Sequence, residues 1–196
     1  MKPRVAVLIS GRGSNMEALA RAARGPDYPA EIVLVLSDKP DAPGLAIARG
    51  LGIEALAVPA RPFGRDREAH ERALDAELRA RDIQIVCLAG YMRLLTPWFV
   101  RRWAGRLLNI HPSLLPDFPG LDTHARALAA GRAEHGCSVH LVTEGMDEGP
   151  VLGQARVPVL PGDTEAALAA RVLEQEHRLY PCVLAELARK ISLPGG

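Results

Sequence analysis

The chain has 196 residues, 48% of them hydrophobic, and its 24 Lys and Arg residues balance 23 Asp and Glu residues. This length and composition predict one domain over residues 1–196 with a single well-filled core. Because the charge is balanced, no strong electrostatic field would attract nucleic acid or an anionic membrane, and neither is expected as a partner.

Cysteine usage and the N-terminus indicate the cellular compartment. The three cysteines are widely spaced and form no Cys-x-x-Cys pair, so neither a disulfide framework nor a zinc site is expected. The N-terminal apolar run is too short for a signal peptide, and no segment is long enough to span a bilayer. We therefore expect a soluble, cytoplasmic protein.

Short β-branched apolar runs alternate along the chain with segments of helical apolar spacing. The predicted strands are 4–10, 31–38, 53–59, 83–90 and 106–111. The predicted helices are 15–24, 43–51, 66–81 and 163–189. This alternation is typical of an α/β fold with three layers, in which helices cover both faces of a Rossmann-like, mostly parallel sheet.

Two further apolar segments lie in the C-terminal half, at 137–143 and 151–159. The seven residues between them are too few for a crossover connection. These two strands are therefore predicted to form an antiparallel hairpin.

The first chemical motif, "SGRGSNMEAL", directly follows the first strand. Its glycines permit a tight turn, and Ser14 with Glu17 fits a capping box that opens a helix near Asn15. Unpaired amides at such a helix start form an anion site. Because Met16 stands at the third glycine position of the dinucleotide fingerprint, the loop suits one phosphate. An ordinary glycine turn with a cap explains the same residues equally well.

Asn109 and His111 stand near the end of the strand predicted at 106–111. Side chains alternate along a strand, so both project to the same side, at the edge where open α/β sheets bind ligands. Pro112 ends the ladder and leaves His111 at the rim of a crevice. An amide donor beside an imidazole suits acyl transfer, because one can stabilise an oxyanion and the other can move a proton. The alternative is a capping Asn and a structural His.

Asp147, in the connection between the hairpin strands, is a third candidate that could reach the same crevice. An Asp beside Gly and Pro is by itself an ordinary turn former. The chain contains neither a Gly-x-Ser-x-Gly elbow nor a His-Glu-x-x-His pattern. The expected chemistry is thus direct attack between two bound substrates, without a covalent enzyme intermediate or a metal.

Four motifs carry a resemblance to a known family: "LISGRGSN", "AGYMRLL", "LLNIHPSLLPDFPGLDTH" and "GCSVHLVTEGMDEGPVL". They resemble those of the folate-dependent glycinamide ribonucleotide formyltransferases of purine synthesis, and the match extends to "EQEHRLYP". The resemblance implies the formyltransferase fold and transfer of a formyl group from the co-substrate 10-formyltetrahydrofolate to the primary amine of glycinamide ribonucleotide. It implies no metal.

The resemblance also implies roles for individual residues. The implied catalytic residues are Asn109, His111 and Asp147. The implied contacts of the ribonucleotide are Gly13, Ser14 and Asn15 for its phosphate and Glu176 for its glycinamide end. The implied folate contacts are Arg67, Met92, Arg93, Leu94, Leu95, Asn109, Thr143 and Asp147, with the loop at 143–147 closing over the pterin. From the residues alone, the 92–95 segment would be core with one exposed cation.

The mechanism that the resemblance implies is attack of the neutral amine on the formyl carbon. Asn109 and protonated His111 would stabilise the tetrahedral oxyanion. Asp147 would hold the imidazolium, through ordered water, and help to pass a proton to the leaving folate nitrogen. His124 matches a family histidine near the site, and its role stays open at this point.

Three alternatives compete with this interpretation. The folate hydrolase relatives carry an extra N-terminal domain, whereas this chain begins with the catalytic strand. Methionyl-tRNA formyltransferases carry an extra C-terminal domain, and the balanced charge offers no footprint for RNA. A noncatalytic nucleotide-binding module would explain the glycine loop but not Asn109, His111 and Asp147 together. Either a monomer or a homodimer is expected.

Overall fold

The computed structural model describes residues 1–192, so the last four residues of the predicted domain lie outside it. The strands are β1 Arg4–Ile9, β2 Glu31–Ser37, β3 Glu54–Ala57, β4 Ile85–Leu88, β5 Leu107–His111, β6 Glu134–Leu141 and β7 Val151–Pro158. The helices are α1 Ser14–Ala22, α2 Pro43–Gly50, α3 Arg67–Ala80, α4 Pro97–Arg102, α5 Thr123–Ala129 and α6 Glu165–Ser192, with a 3₁₀ turn at Arg61–Phe63.

The described strands form one seven-stranded sheet in the order β3-β2-β1-β4-β5-β6-β7. Neighbours from β3 to β5 are parallel, and β6 is antiparallel to both β5 and β7. The predicted fold class and the antiparallel hairpin are confirmed. The first hairpin strand begins at Glu134, earlier than expected.

Alternating side chains of the parallel strands fill two cores, one on each face of the sheet. On β1, Val5, Val7 and Ile9 join the core beneath α1, α2 and α6. Ala6 and Leu8 point the other way, into the core beneath α3 and α4. A strand buried on both faces reads as a continuous apolar run, which is why β1, β2 and β4 were visible in the sequence.

Two short helices were not predicted, α4 and α5, of six and seven residues. Fewer than two turns give too little apolar repeat for a helical period to stand out. The longer helices lie close to their predicted positions. At α3, for example, the Asp66 side chain accepts a hydrogen bond from the Ala69 amide at 2.9 Å and so caps the helix.

Strand register decides which groups meet at the carboxyl edge of the sheet. Leu8 of β1 pairs with Leu88 of β4, which pairs with Asn109 of β5, which pairs with His140 of β6. Groups from four strands therefore lie in one row at this edge. No helix within residues 1–192 is long and apolar enough to cross a membrane.

Candidate active site

The side chains of Asn109 and His111 project from β5 on the face that α3 and α4 cover, as Leu107 does two residues earlier. The prediction that they share a side of the strand therefore agrees with the register. His111 is buried, at 6% exposure, whereas Asn109 is half-buried. The strand ends immediately after them, where the Ser113 amide turns back to the His111 carbonyl at 2.9 Å.

The His111 ring is held from two sides. Its Nε2 lies 2.9 Å from the backbone carbonyl oxygen of Phe118, which can only accept, so Nε2 carries a proton. Its Nδ1 lies 3.5 Å from Oδ2 of Asp147. Because both ring nitrogens face acceptors, this geometry suits an imidazole that takes up and returns a second proton at Nδ1.

Asp147 lies in the β6–β7 connection with a left-handed backbone, at a φ of 55°. Its Oδ2 accepts a hydrogen bond from the Gly120 amide at 2.9 Å, and its Oδ1 lies 3.6 Å from Nε2 of His140. The adjacent His140 ring is the main cause that lowers the pKa of Asp147; burial opposes it, while the Gly120 amide and the charge of His111 add to it. The carboxylate therefore stays ionised at neutral pH. Left-handed backbone at a non-glycine residue is costly and is typical of functional sites.

His140, which the sequence analysis did not select, joins the two halves of this cluster. Its Nδ1 donates to the Leu141 carbonyl at 3.0 Å, and its Nε2 lies 3.4 Å from Nδ2 of Asn109 and 3.6 Å from Oδ1 of Asp147. Nε2 accepts from the Asn109 amide in the neutral ring and donates to the carboxylate in the imidazolium. The contact with Asn109 turns the NH₂ end of its amide towards His140. The cross-strand pairing of β5 with β6 would have pointed to His140, but pairing register is not visible in one strand alone.

A cavity of about 300 Å³ opens beside this cluster. Its lining includes seven of the eight predicted folate contacts, namely Arg67, Arg93, Leu94, Leu95, Asn109, Thr143 and Asp147. His140 also lines it, and the 143–147 loop forms one wall. Met92 is 67% exposed and His111 is buried, and neither lines the cavity. His111 therefore reaches this space through Asp147.

The larger cleft of about 900 Å³ lies at the opposite, amino-terminal edge of the strands. It is lined by side chains such as Arg4, Gln84 and Arg106, several of which already bond protein groups. It is remote from the polar cluster and brings no comparable set of groups together.

At the glycine loop, the predicted capping box is wrong. Gly13 is the N-cap, in the left-handed region at a φ of 66°, and Ser14 is already the first helical residue. No side-chain oxygen caps α1, and Glu17 instead pairs with Arg21 at 2.6 Å. Gly13 can adopt this φ because it has no Cβ. Since no cap takes up the first-turn amides, they are available to an anion.

Glu176 of α6 is buried near α1. Burial raises the pKa of its carboxyl to about 7, and a hydrogen bond with Asn15 partly opposes that rise. Asn15 is itself buried, and its Oδ1 has no partner within the described residues. Two predicted ribonucleotide contacts thus lie together on the α1–α6 side of the sheet.

His124 lies outside the cavity and pairs with His135, with Nδ1 3.1 Å from Nε2 of that ring. Burial is the main cause that lowers the pKa of both rings, that of His135 to about 4. Both are neutral at pH 7 and pack beside the loop that follows β5. Among residues 1–192, no group of three or more His, Cys, Asp or Glu side chains could hold a metal ion.

The fold is that of a formyl-transferring enzyme: a model of the formyl transferase family matches residues 3–184, so the chain belongs to that family. Within the family, the chain is similar to phosphoribosylglycinamide formyltransferases. The protein of that name from Escherichia coli K12 is 49% identical over 184 residues, which cover 94% of this chain and 86% of the relative. The crystal structure of the Brucella melitensis protein of that name superposes with a TM-score of 0.92 at 58% identity, covering 96% of each chain.

The chain also matches larger proteins. The trifunctional purine biosynthetic protein adenosine-3 of Drosophila melanogaster is 46% identical over 194 residues, and the chain spans 14% of its length. The resemblance seen in the motifs and the predicted class, a one-carbon transferase, are confirmed. The roles of the individual site residues stay predictions.

Proposed function

We propose that this chain transfers the formyl group of 10-formyltetrahydrofolate to the primary amine of glycinamide ribonucleotide in de novo purine synthesis. The single observation that carries the proposal is the cluster of Asn109, His140, Asp147 and His111 beside the 300 Å³ cavity. The names of the similar enzymes support the same substrates. We further propose a cytoplasmic enzyme of small molecules, either monomer or homodimer, that needs no metal.

In this proposal the two substrates approach from opposite sides of the carboxyl edge. The ribonucleotide phosphate binds at Gly13, Ser14 and Asn15, where the uncapped amides of α1 and its helix dipole favour an anion. Glu176, beside Asn15, contacts the glycinamide end. The amine then points towards β5.

The folate occupies the cavity on the α3–α4 side. The 92–95 segment and the 143–147 loop enclose the pterin, and Arg67 faces the glutamate tail. Arg67 also donates to the Leu94 carbonyl at 3.4 Å, which ties α3 to the pterin wall. Exposed Met92 is the weakest of the predicted folate contacts, since its side chain lies outside the cavity.

The amine attacks the formyl carbon, and negative charge develops on the formyl oxygen. Asn109 donates one N–H to this oxyanion, while His140 holds the other N–H and so fixes the amide. Ionised Asp147 takes a proton from the attacking nitrogen, and His111 in its protonated form donates from Nδ1 to that carboxylate from its other side. Because the buried His111 ring does not line the cavity, it acts through Asp147 in this proposal, whereas the family resemblance implied that it stabilises the oxyanion directly. The proton then goes to the leaving folate nitrogen as the carbon–nitrogen bond breaks.

The test is to mix the protein with 10-formyltetrahydrofolate and to measure deformylation with and without glycinamide ribonucleotide. We expect folate product and formylated ribonucleotide in equal amounts, and only when the amine is present. Deformylation that proceeds equally without the amine would indicate a hydrolase. No deformylation in either case, with folded protein, would reject formyl transfer altogether.

A further inference from the structure

One exposed loop contacts both His111 and Asp147. The Phe118 carbonyl accepts from Nε2 of His111 at 2.9 Å, and the Gly120 amide donates to Oδ2 of Asp147 at 2.9 Å. Two backbone groups only two residues apart thus set the imidazole and the carboxylate relative to each other. Any shift of this loop, residues 117–121, would move both.

The loop cannot be held by burial alone, since Pro119 and Leu121 are exposed and Phe118 is only half-buried. Arg126 of α5 reaches back over it: Nη1 donates to the Pro119 carbonyl at 2.6 Å and to the Leu121 carbonyl at 3.1 Å. These two carbonyls flank Gly120. One guanidinium therefore fixes the segment that presents the Gly120 amide.

The Phe118 ring is also held by cation–π and aromatic contacts. The guanidinium carbons of Arg126 and Arg132 lie 5.4 Å and 5.5 Å from its centroid, and His135 meets it edge-on at 6.2 Å. Arg132 also pairs with Asp117 at 2.9 Å, at the start of the loop. The aromatic ring and the chain on either side of it are thus held by charged side chains from outside the loop.

We propose that Arg126, assisted by Arg132, is a positioning residue for formyl transfer: it fixes the 117–121 loop so that the Phe118 carbonyl and the Gly120 amide hold His111 and Asp147 in register. This inference rests on the proposed function. Arg126 does not line the 300 Å³ cavity, so we expect its loss to lower turnover more than it weakens folate binding. Small displacements of reacting groups are enough for large losses of rate.

The test uses Arg126→Met, which keeps the aliphatic stem and removes the donors and the charge. We expect kcat to fall by about 10- to 100-fold, with KM for both substrates within about twofold of the wild type. Arg126→Lys, which can still donate to one carbonyl, should recover part of the loss. The matched control is Arg156→Met, an exposed arginine that pairs with Glu134 on the β6–β7 hairpin, and it should leave kcat unchanged.

A second readout separates this inference from the proposed function. In NMR of histidine-labelled protein, the Nε2 proton of His111 should exchange slowly in the wild type and become broad or fast-exchanging in Arg126→Met. If the wild type were inactive, the proposed function would be rejected. The His111 signal could still be compared between the wild type and Arg126→Met, because it does not depend on activity. An unchanged signal, an unchanged kcat, or a kcat loss explained by the unfolded fraction alone would each overturn the positioning role of Arg126.

Discussion

At the scale of single residues, the site shifts the pKa values of two carboxyl groups in opposite directions. Burial raises the pKa of Glu176 to about 7, whereas His140 and the Gly120 amide hold the pKa of Asp147 below its ordinary value. Two carboxyl groups whose pKa values are shifted in opposite directions by their environments commonly have distinct roles in a site. Asp147 is suited to accept a proton, and Glu176 can donate a hydrogen bond when neutral.

The first prediction concerns Asp147 and Asn109. Asp147→Asn removes the proton acceptor, and we expect a loss of about 10²–10⁴ in kcat, the usual scale of a positioned acid–base group. Asn109→Ala removes one oxyanion donor, with an expected loss of about 10²–10³. Steady-state kinetics with thermal melts as folding control provide the measurement. Turnover near the wild-type value in either variant would remove that residue from the proposed mechanism.

The second prediction concerns Glu176 and pH. Its folded pKa lies above the ordinary 4.5, so folding favours the protonated form, and the stability contribution present at low pH is lost as pH rises through about 7. Glu176→Gln should therefore be more stable than the wild type at about pH 8, by an amount on the order of 3 kcal/mol, and nearly equal to it at about pH 5.

Urea unfolding at both pH values measures this difference. Glu174→Gln is the matched control, because Glu174 lies on the same helix but is exposed and should show no such pH dependence. If the Glu176→Gln difference were the same at both pH values, the carboxyl would titrate in its ordinary range.

At the scale of secondary-structure elements, the strand edges and the loops between them assemble the site. The sequence was enough for the parallel strands, because runs buried on both faces are long and apolar. It was also enough to predict that Asn109 and His111 share one side of a strand, because they stand two residues apart. It could not show His140, the Phe118 carbonyl or the Gly120 amide, since those contacts depend on register and on backbone groups that every residue carries. The predicted capping box was wrong because Gly13, in a left-handed conformation, is the N-cap of α1, which makes Ser14 the first helical residue.

The third prediction concerns the way in which α2 supports the phosphate loop. The Gly44 amide donates to the Gly11 carbonyl at 3.1 Å, and a Cβ on Gly44 would lie 2.8 Å from the Arg12 carbonyl oxygen. Gly44→Ala should therefore push the 11–13 loop away from α2. We expect KM for the ribonucleotide to rise several-fold and folate KM to stay unchanged, with a stability loss of about 1–3 kcal/mol.

Gly50→Ala is the matched control on the same helix. A Cβ there meets nothing within 4 Å, so stability and kinetics should stay at or slightly above wild-type values. Equal ribonucleotide KM values for Gly44→Ala and Gly50→Ala would show that the loop does not depend on this contact. Gly13 itself is a poorer test, because its positive φ strains any replacement.

At the scale of the whole molecule, the last helix packs against the centre of the sheet, beneath both proposed substrate sites. α6 packs on α1 and also on β6 and β7, so it spans the elements that carry the phosphate loop and the hairpin. Its fully buried Tyr180 hydroxyl lies 2.9 Å from the Leu88 carbonyl and 3.2 Å from the Leu108 carbonyl. These carbonyls belong to β4 and β5: Leu88 pairs with Asn109 in the row at the carboxyl edge, and Leu108 directly precedes Asn109. A long helix near the C-terminus was predictable from its period, but its polar contact with the middle of the sheet was not.

The final prediction therefore concerns Tyr180→Phe, which removes only the hydroxyl. We expect the free energy of unfolding to fall by about 1–2 kcal/mol, because buried carbonyl groups lose a donor that water cannot replace. Turnover should change by less than about twofold, since the hydroxyl supports the strands from the face opposite Asn109.

Tyr28→Phe is the control for this prediction. The Tyr28 hydroxyl donates to the Pro181 carbonyl at 2.7 Å from a half-buried position, where water can take its place, so the loss of stability should be smaller. Urea titrations of both variants measure the two losses. A loss in Tyr180→Phe no greater than that in Tyr28→Phe would mean that α6 is held to the sheet by apolar packing alone.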